Sequence, residues 1–175
     1  ETWRTFAHTT KLTKDTAYVD VESYITGNIS DPTTAVEIGI YDQRGSMIDE
    51  RHMPAQDKVL LKTTLYVPKP KAWSPEEPNL YKLVTRIYKD NKVIDEQKTN
   101  IGLRTVSVSK ENGFQLNGIT RKIKGVCLHH DLGPLGAAEN KAALIRQIKM
   151  MKEMGADAIR TAHNMPSQWQ MEICD

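Results

Sequence analysis

Ile123-Lys-Gly-Val-Cys-Leu-His-His-Asp131 and Asp157-Ala-Ile-Arg-Thr-Ala-His-Asn-Met-Pro166 are the two stretches whose reading decides the fold. Each is a short apolar run that stops in imidazole, carboxylate, guanidinium or amide groups. A short continuous apolar run is the signature of a strand covered on both faces. Between the two lies a helical pattern, so together they predict a βαβ unit with its polar groups gathered at the C-terminal ends of the strands. In parallel α/β sheets and barrels that edge is where ligands bind. The remainder of the chain reads as support for this edge, and the edge is expected to be incomplete at Asp175.

The composition limits the classes that need considering. Apolar residues make up 39% of the 175 and charged residues 26%, the balance of a globular and not a disordered chain. The 24 basic and 22 acidic residues are interspersed, leaving a net charge of +2 and no basic stripe of the kind that binds nucleic acid. No apolar run approaches the roughly 18 residues needed for a membrane-spanning helix. The start, Glu1-Thr-Trp-Arg-Thr5, has neither an initiator Met nor the apolar core of a signal peptide, as expected of a piece of a longer protein, and leaves the compartment open. Cys127 and Cys174 fall in a strand and a late helix and are expected to be free, buried thiols.

Upstream of residue 108 the pattern is one of alternation. Ala17, Val19, Val21 and Ile25 share one face of a run over 17–27, with Asp20 and Glu22 on the other; Val36, Ile38 and Ile40 repeat this over 35–41, before the turn Asp42-Gln43-Arg44-Gly45. Further strand-like runs lie at 46–51, 58–67, 80–88, 92–100 and 102–108, with Asp90-Asn91 as a hairpin turn. Some seven short strands in about 100 residues predict an antiparallel sandwich of the immunoglobulin type over 1–108. A stiff loop carrying Pro68, Pro70, Trp73, Pro75 and Pro78 interrupts them. Trp73 reads either as a sugar-stacking platform or, the expected role for a residue that is usually largely buried, as a plug packing the loop onto the sandwich edge.

After residue 108 the character changes. Gly113–Gly118 reads as a small hairpin with Asn117-Gly118 at its tip. A first buried strand is expected at 121–127, then a helix from an Asn140 N-cap to a C′ Gly155. Leu144, Ile148 and Met151 form its apolar stripe, flanked by Ile145 and Met154, with Arg146, Lys149, Lys152 and Glu153 toward solvent. A second buried strand is expected at 157–161 and a further helix from Ser167 to Cys174.

His129, His130, Asp131 and His163 invite a metal hypothesis. Adjacent histidines in an extended segment point to opposite faces, so one of the pair at most joins Asp131 and His163, and no Cys or His spacing typical of zinc is present. Satisfied edge histidines are the second reading and a polar binding pocket the third. No metal or cofactor is expected. Arg160 lies inside the second strand, where a buried guanidinium needs an anionic partner. His163 and Asn164, at the strand's end, suit a polyhydroxylated ligand.

These residues also carry a resemblance. From about Thr16 to Asp175 the chain resembles glycoside hydrolase family 2, the β-galactosidase, β-glucuronidase and β-mannosidase group. Trp73-Ser-Pro-Glu-Glu-Pro-Asn-Leu-Tyr81 is similar to a loop of that family's central sandwich, Ile101-Gly-Leu-Arg104 to the strand that leaves it, Gly113–Gly118 to the entry of its catalytic barrel, and Arg160-Thr-Ala-His-Asn-Met-Pro166 with Cys174-Asp175 to the signature at the second barrel strand. The resemblance implies an all-β immunoglobulin-like sandwich followed, over 109–175, by the first two β/α units of a TIM barrel. It implies that Arg160 lies close to the nucleophilic carboxylate, that His163 and Asn164 contact substrate, and that His129 and Asp131 close the sugar subsite. Cys127 and Leu128 depart from the Asn-Arg or Asn-Tyr pair often found there. His130–Gly136 resembles the β-galactosidase branch more than the glucuronidase branch.

Such enzymes retain configuration and use two carboxyl groups roughly 5–5.5 Å apart. In the family both are glutamates at the ends of the fourth and seventh barrel strands, positions this sequence does not contain. Glu139, Glu153 and Glu172 belong to helical segments, and Asp131 is the one acidic residue near the edge. The expectation is therefore a piece, inactive by itself, of an enzyme that hydrolyses β-galactosides, with no catalytic residue of its own and no nucleic acid or membrane as partner. A β-glucuronidase or β-mannosidase parent, a non-catalytic sandwich module binding sugar or protein, and a metal-dependent hydrolase are the alternatives. Two parallel strands without neighbours leave an unpaired edge, through which the piece is expected to self-associate.

Overall fold

The computed structural model describes residues 5–26, 31–55 and 60–175. Two units emerge, one running through Ser107 and including Leu116–Gly118, the other comprising Val108–Gln115 and Ile119–Asp175.

The first unit holds seven strands: β1 (Thr5–Leu12), β2 (Thr16–Tyr24), β3 (Thr34–Tyr41), β4 (Met47–Pro54), β5 (Leu60–Pro68), β6 (Leu80–Lys89) and β7 (Lys92–Gly102). They form two antiparallel sheets, ordered β1-β2-β5 and β4-β3-β6-β7. Period-two alternation puts Ala17, Val19, Val21 and Leu65 of one sheet and Val36, Ile38, Ile40 and Leu83 of the other into a single buried cluster, so the sheets face each other across it. Asp90 and Asn91 adopt φ of 49° and 60°, the left-handed pair that a tight two-residue hairpin requires.

The expected strand count is met by a different set of strands. Thr5–Leu12 is a strand that the pattern does not announce, because Phe6 and His8 point outward and small or polar Ala7 and Thr9 inward. Conversely, 102–108 is no strand of the sandwich: β7 ends at Gly102, Leu103 turns wholly into the core, and β8 (Val106–Ser109) pairs with β9 (Gly113–Leu116) in a separate small sheet completed by β10 (Ile119–Thr120). Residues 27, 58 and 59 of the expected strands lie outside the described residues. Trp73 packs on the end of β7. Its N–H donates to the Leu103 carbonyl at 2.9 Å, its carbonyl accepts from Asn117 Nδ2 at 3.0 Å, and the Arg104 guanidinium covers its ring at 4.3 Å.

On the outer face of the four-stranded sheet, Glu37 is 4% exposed. Its two oxygens accept from Arg86 and from the Tyr88 hydroxyl, so a buried carboxylate is both paired and hydrogen-bonded. Glu96, then Tyr41 and Glu37, hold the Arg86 guanidinium firmly in its charged form, while Glu37 pushes the Tyr88 phenol above its ordinary value.

The second unit contains β11 (Gly125–His129), α1 (Lys141–Glu153), β12 (Ala158–Ala162) and α2 (Gln168–Cys174). Asn140 caps α1 through Ala143 N, and Gly155 adopts φ of 94° just beyond its end. Ser167 caps α2 in the same way through Gln170 N. β11 and β12 pair in parallel, Gly125 opposite Ala158 through His129 opposite Ala162. β11 thus begins four residues later than expected. Asp157 Oδ1 takes the Lys124 N–H at 2.8 Å, which fixes the approach at Lys124 and starts the ladder at Gly125.

Neither strand is buried along its length, contrary to the expectation of two covered runs. Val126, Leu128, Ile159 and Thr161 are half-buried; Cys127, His129 and Arg160 are exposed. Among the described residues no third strand is bonded to either edge of this pair. Both cysteines are free, as expected, but exposed instead of buried.

Candidate functional site

Parallel pairing brings the C-terminal ends of β11 and β12 to one edge, and that geometry assembles the candidate site. His129 closes β11 opposite Ala162, and His163 follows Ala162, whose peptide bond to it is cis. The two imidazoles meet edge to face, with ring centroids 5.6 Å apart. Asn164 comes next and is exposed. His129 and His163, 34 residues apart in the sequence, are therefore brought to one locality by the pairing register, with Asn164 following directly.

Asp131 sits just past β11. Its N–H donates to the His129 carbonyl at 2.7 Å, and its Oδ1 accepts from Gly133 N at 2.8 Å, a local turn that leads into a short 3₁₀ segment at Gly133–Leu135. One carboxylate oxygen is thus committed to holding the loop. With His129, His130 and Glu139, Asp131 lines a hollow of about 20 Å³, roughly the room for one water. Gln147 and the buried Gln170 form its floor, and Gln147 Oε1 is buried with no hydrogen-bond partner in the structure. Glutamines at this floor were not singled out in the sequence. Gln147 lies three residues after Leu144, on the same side of α1, but a polar residue there reads as helix surface until α2 is placed beside it.

Arg160 does not occupy the buried, ion-paired position expected of it. It is exposed, stands opposite Cys127 in the register, and its Nη1 lies 3.9 Å from Cys127 Sγ; no carboxylate among the described residues pairs with it. The reason is positional. Alternation puts Cys127, His129 and Arg160 on one face of the two-stranded sheet, and all three are exposed there, although the small Ala162 on the same face is buried.

A metal set of His129, Asp131 and His163 is not assembled. Among the described residues, the cluster whose ligand atoms lie within 4.8 Å of one another is Glu37, Glu50 and His52, on the sandwich. There Arg86 and Tyr88 already engage both oxygens of Glu37, and a guanidinium beside the carboxylate opposes a cation.

Comparison with known proteins gives this geometry a context. The model of the glycosyl hydrolases family 2 matches residues 4–104. A β-galactosidase from Bacteroides ovatus is 34% identical over 99% of this chain and 21% of its own length. A β-glucuronidase from Bacteroides fragilis is 32% identical over 67% of the chain and 17% of its own. The crystal structure of a glycosyl hydrolase family 2 member from Bacteroides cellulosilyticus superimposes with a TM-score of 0.90 at 37% identity, covering 99% of this chain and 25% of that one. The chain spans about a fifth of the length of the curated relatives it matches. Galactoside- and glucuronide-named relatives alike are glycosidases. With its first hundred residues matched by the family model and nearly its whole length matched by family members of known structure, this chain belongs to the glycosyl hydrolases family 2.

Proposed function

We propose that this chain is part of a retaining glycosidase that cleaves β-galactosides, contributing an immunoglobulin-type sandwich over 1–108 and the first two β/α units of a catalytic (β/α)₈ barrel over 109–175. The observation that carries this reading is the convergence of His129 and His163 at the C-terminal edge of a parallel strand pair, the edge at which barrel enzymes hold their substrates. Asn164 and the free oxygen of Asp131 supply hydrogen-bonding groups beside them. In the complete barrel the face bearing Arg160 turns inward, which supports a role for Arg160 beside a carboxylate contributed by a later strand. The exposure of Cys127, His129 and Arg160 is what an inward face looks like when the facing strands are absent.

His129, Asp131, Arg160, His163 and Asn164 are on this reading substrate-contacting or positioning residues. The nucleophile and the acid/base are glutamates outside the chain. One carboxylate at the edge cannot run a double displacement, which needs two carboxyl groups at roughly 5–5.5 Å, so the chain alone is inactive. The β-galactoside preference rests on the His130–Gly136 segment and on galactosidase relatives such as that of Bacteroides ovatus.

The test is hydrolysis of nitrophenyl β-galactoside, β-glucuronide and β-mannoside by the full-length parent, with this chain alongside. Cleavage of the galactoside by the parent and of nothing by the chain is the expected result. Parental preference for another sugar overturns the substrate, and aglycone release that tracks the concentration of this chain overturns the missing-carboxylate argument.

A further inference from the structure

We propose that the open end of the sandwich, between β2 and the β6–β7 hairpin, is a second carbohydrate site that takes a single neutral sugar ring. It is independent of the strand-end edge and of the reading built on it.

The inward column of β2 runs Ala17, Val19, Val21, Ser23, with Ile25 buried just past the strand, and that of β6 runs Tyr81, Leu83, Thr85, Ile87. Through most of the sandwich these columns are aliphatic. At one end hydroxyls replace them: Ser23 is 1% exposed and Thr85 8%. Residues directly opposite in an antiparallel pair share a face, and Gln97 stands opposite Thr85, Asp95 opposite Ile87. An amide and a carboxylate therefore join the two hydroxyls on the inner side. Just past them the ladder slips, Ile87 facing Asp95 but Tyr88 facing Val93, so Ile94 is a bulged extra residue and the β7 edge bends at this end.

The result is a cleft of about 310 Å³ lined by Ser23, Thr85, Asp95 and Gln97 with Ile25 and Ile87 as apolar wall. At roughly 30 Å³ per molecule of liquid water that is room for on the order of ten waters, far more than a structural water bridge needs. It stands at the lower limit of small-molecule pockets, roughly 300–1,000 Å³, which suits one ring and not a chain of them. Hydroxyl, amide and carboxylate groups beside an aliphatic patch match a sugar's alternation of hydroxyl edges and C–H face.

The charges at the rim argue for a neutral ligand. Glu96 already accepts from Arg86 and pairs with Lys98, and Asp95, which forms no ion pair among the described residues, repels an anion while accepting from hydroxyls. Ser23 Oγ lies 3.0 Å from Thr5 Oγ1, which leaves it further capacity as donor or acceptor. Thr85 makes no hydrogen bond through its side chain to a described residue, so its hydroxyl is free to serve the cleft.

The test is titration of the 175-residue chain with galactose and with glucose, followed residue by residue in amide NMR spectra. Saturable shifts in the millimolar range at Ser23, Thr85 and Gln97 are expected for at least one sugar. Thr85→Val, which keeps shape and removes the hydroxyl, is expected to weaken binding by about 2- to 12-fold, the worth of one net hydrogen bond; Thr85→Ser, which keeps the hydroxyl, is expected to retain it. Overturning results are shifts that rise linearly without saturation, shifts confined to residues 129–164, or equal affinity of the Val and Ser variants. Any of these would mean the cleft holds water only.

Discussion

In the sandwich Ile38, Ile40, Leu65 and Leu103 are 0% exposed, whereas in the β/α unit only Leu144, Ala162 and Gln170 fall among the buried residues, and one of those is polar. Both regions use the same materials, alternating strands and an amphipathic helix. What differs is closure. Two antiparallel sheets can cover each other's apolar faces within about 100 residues. A parallel pair with one crossover helix covers one face at most, because βαβ geometry assigns the other face to neighbours. The comparison separates two jobs: one region holds itself together, and the other holds polar groups at a strand end while its apolar residues stay half-exposed.

The largest effect that tests this contrast is a matched pair of deletions. Ile38→Ala removes a fully buried side chain from the sandwich core and is expected to cost about 3–4 kcal/mol. Ile159→Ala, in a half-buried strand position, is expected to cost about 1 kcal/mol, since much of that side chain already meets water. Hydrogen exchange of amides in β3 and in β12 reads each loss locally. Equal losses would break the contrast and show that the β/α unit buries its strands as fully as the sandwich does.

A middle-sized effect probes how tightly the sandwich is locked at its end. A Cβ on Gly102 would fall 2.7–2.8 Å from Cγ, Cβ and Cδ1 of Trp73. Trp73 has little room to yield, because Arg104 covers its ring and Asn117 and Leu103 bind its backbone. Gly102→Ala is expected to cost about 2 kcal/mol by overpacking and to change the tryptophan emission. A variant as stable as the parent sequence would mean that the proline-rich loop floats on β7 without being pinned there.

What could be read from the sequence follows from the same contrast. Where a side chain's surroundings lie within its own strand and the facing strand, alternation was sufficient: Val36, Ile38 and Ile40 are buried as their period predicts, and Asp90-Asn91 turns where it should. β1 was illegible because its inward positions Thr5, Ala7 and Thr9 are small or polar, Phe6 is on the wrong face for a pattern search, and its other large apolar residue, Leu12, comes only at the end, past a register slip. The run 102–108 misled for the opposite reason: Leu103 and Val106 look periodic but belong to two different sheets or none. At the site, His129 and His163 were legible because each marks the end of a strand. The exposure of Arg160 was not, because alternation within a strand does not say whether anything covers its second face. The floor of Gln147 and Gln170 needed α1 and α2 placed in space before either looked like more than helix surface.

The smallest effect separates the two regions by acid. Asp31 precedes β3, and hydrogen bonds from the Thr33 hydroxyl and N–H, then Lys89, hold its carboxyl down at about 2, from an ordinary 3.8. In the β/α unit Glu172 is lowered from 4.5 by Lys141 and then Gln168, and this contact links α2 to α1. A carboxyl depressed in the folded state contributes stability that is fully present above its unfolded value and is lost as pH falls through the folded one. The α1–α2 contact therefore begins to lose its contribution as pH drops below about 4.5, whereas the Asp31 contribution begins to fall only below about 3.8 and is gone once the pH passes about 2. Both groups are at the surface, so each effect is small and salt-sensitive. Asp31→Asn is expected to lower stability slightly at neutral pH and to converge with the parent sequence near pH 2, whereas Glu172→Gln should begin to converge at a higher pH, below about 4.5. Hydrogen exchange at stepped pH reads both. If β3 amides lose protection before those of α2, the acid response follows something other than these two carboxylates, and the sandwich is the weaker of the two regions in acid.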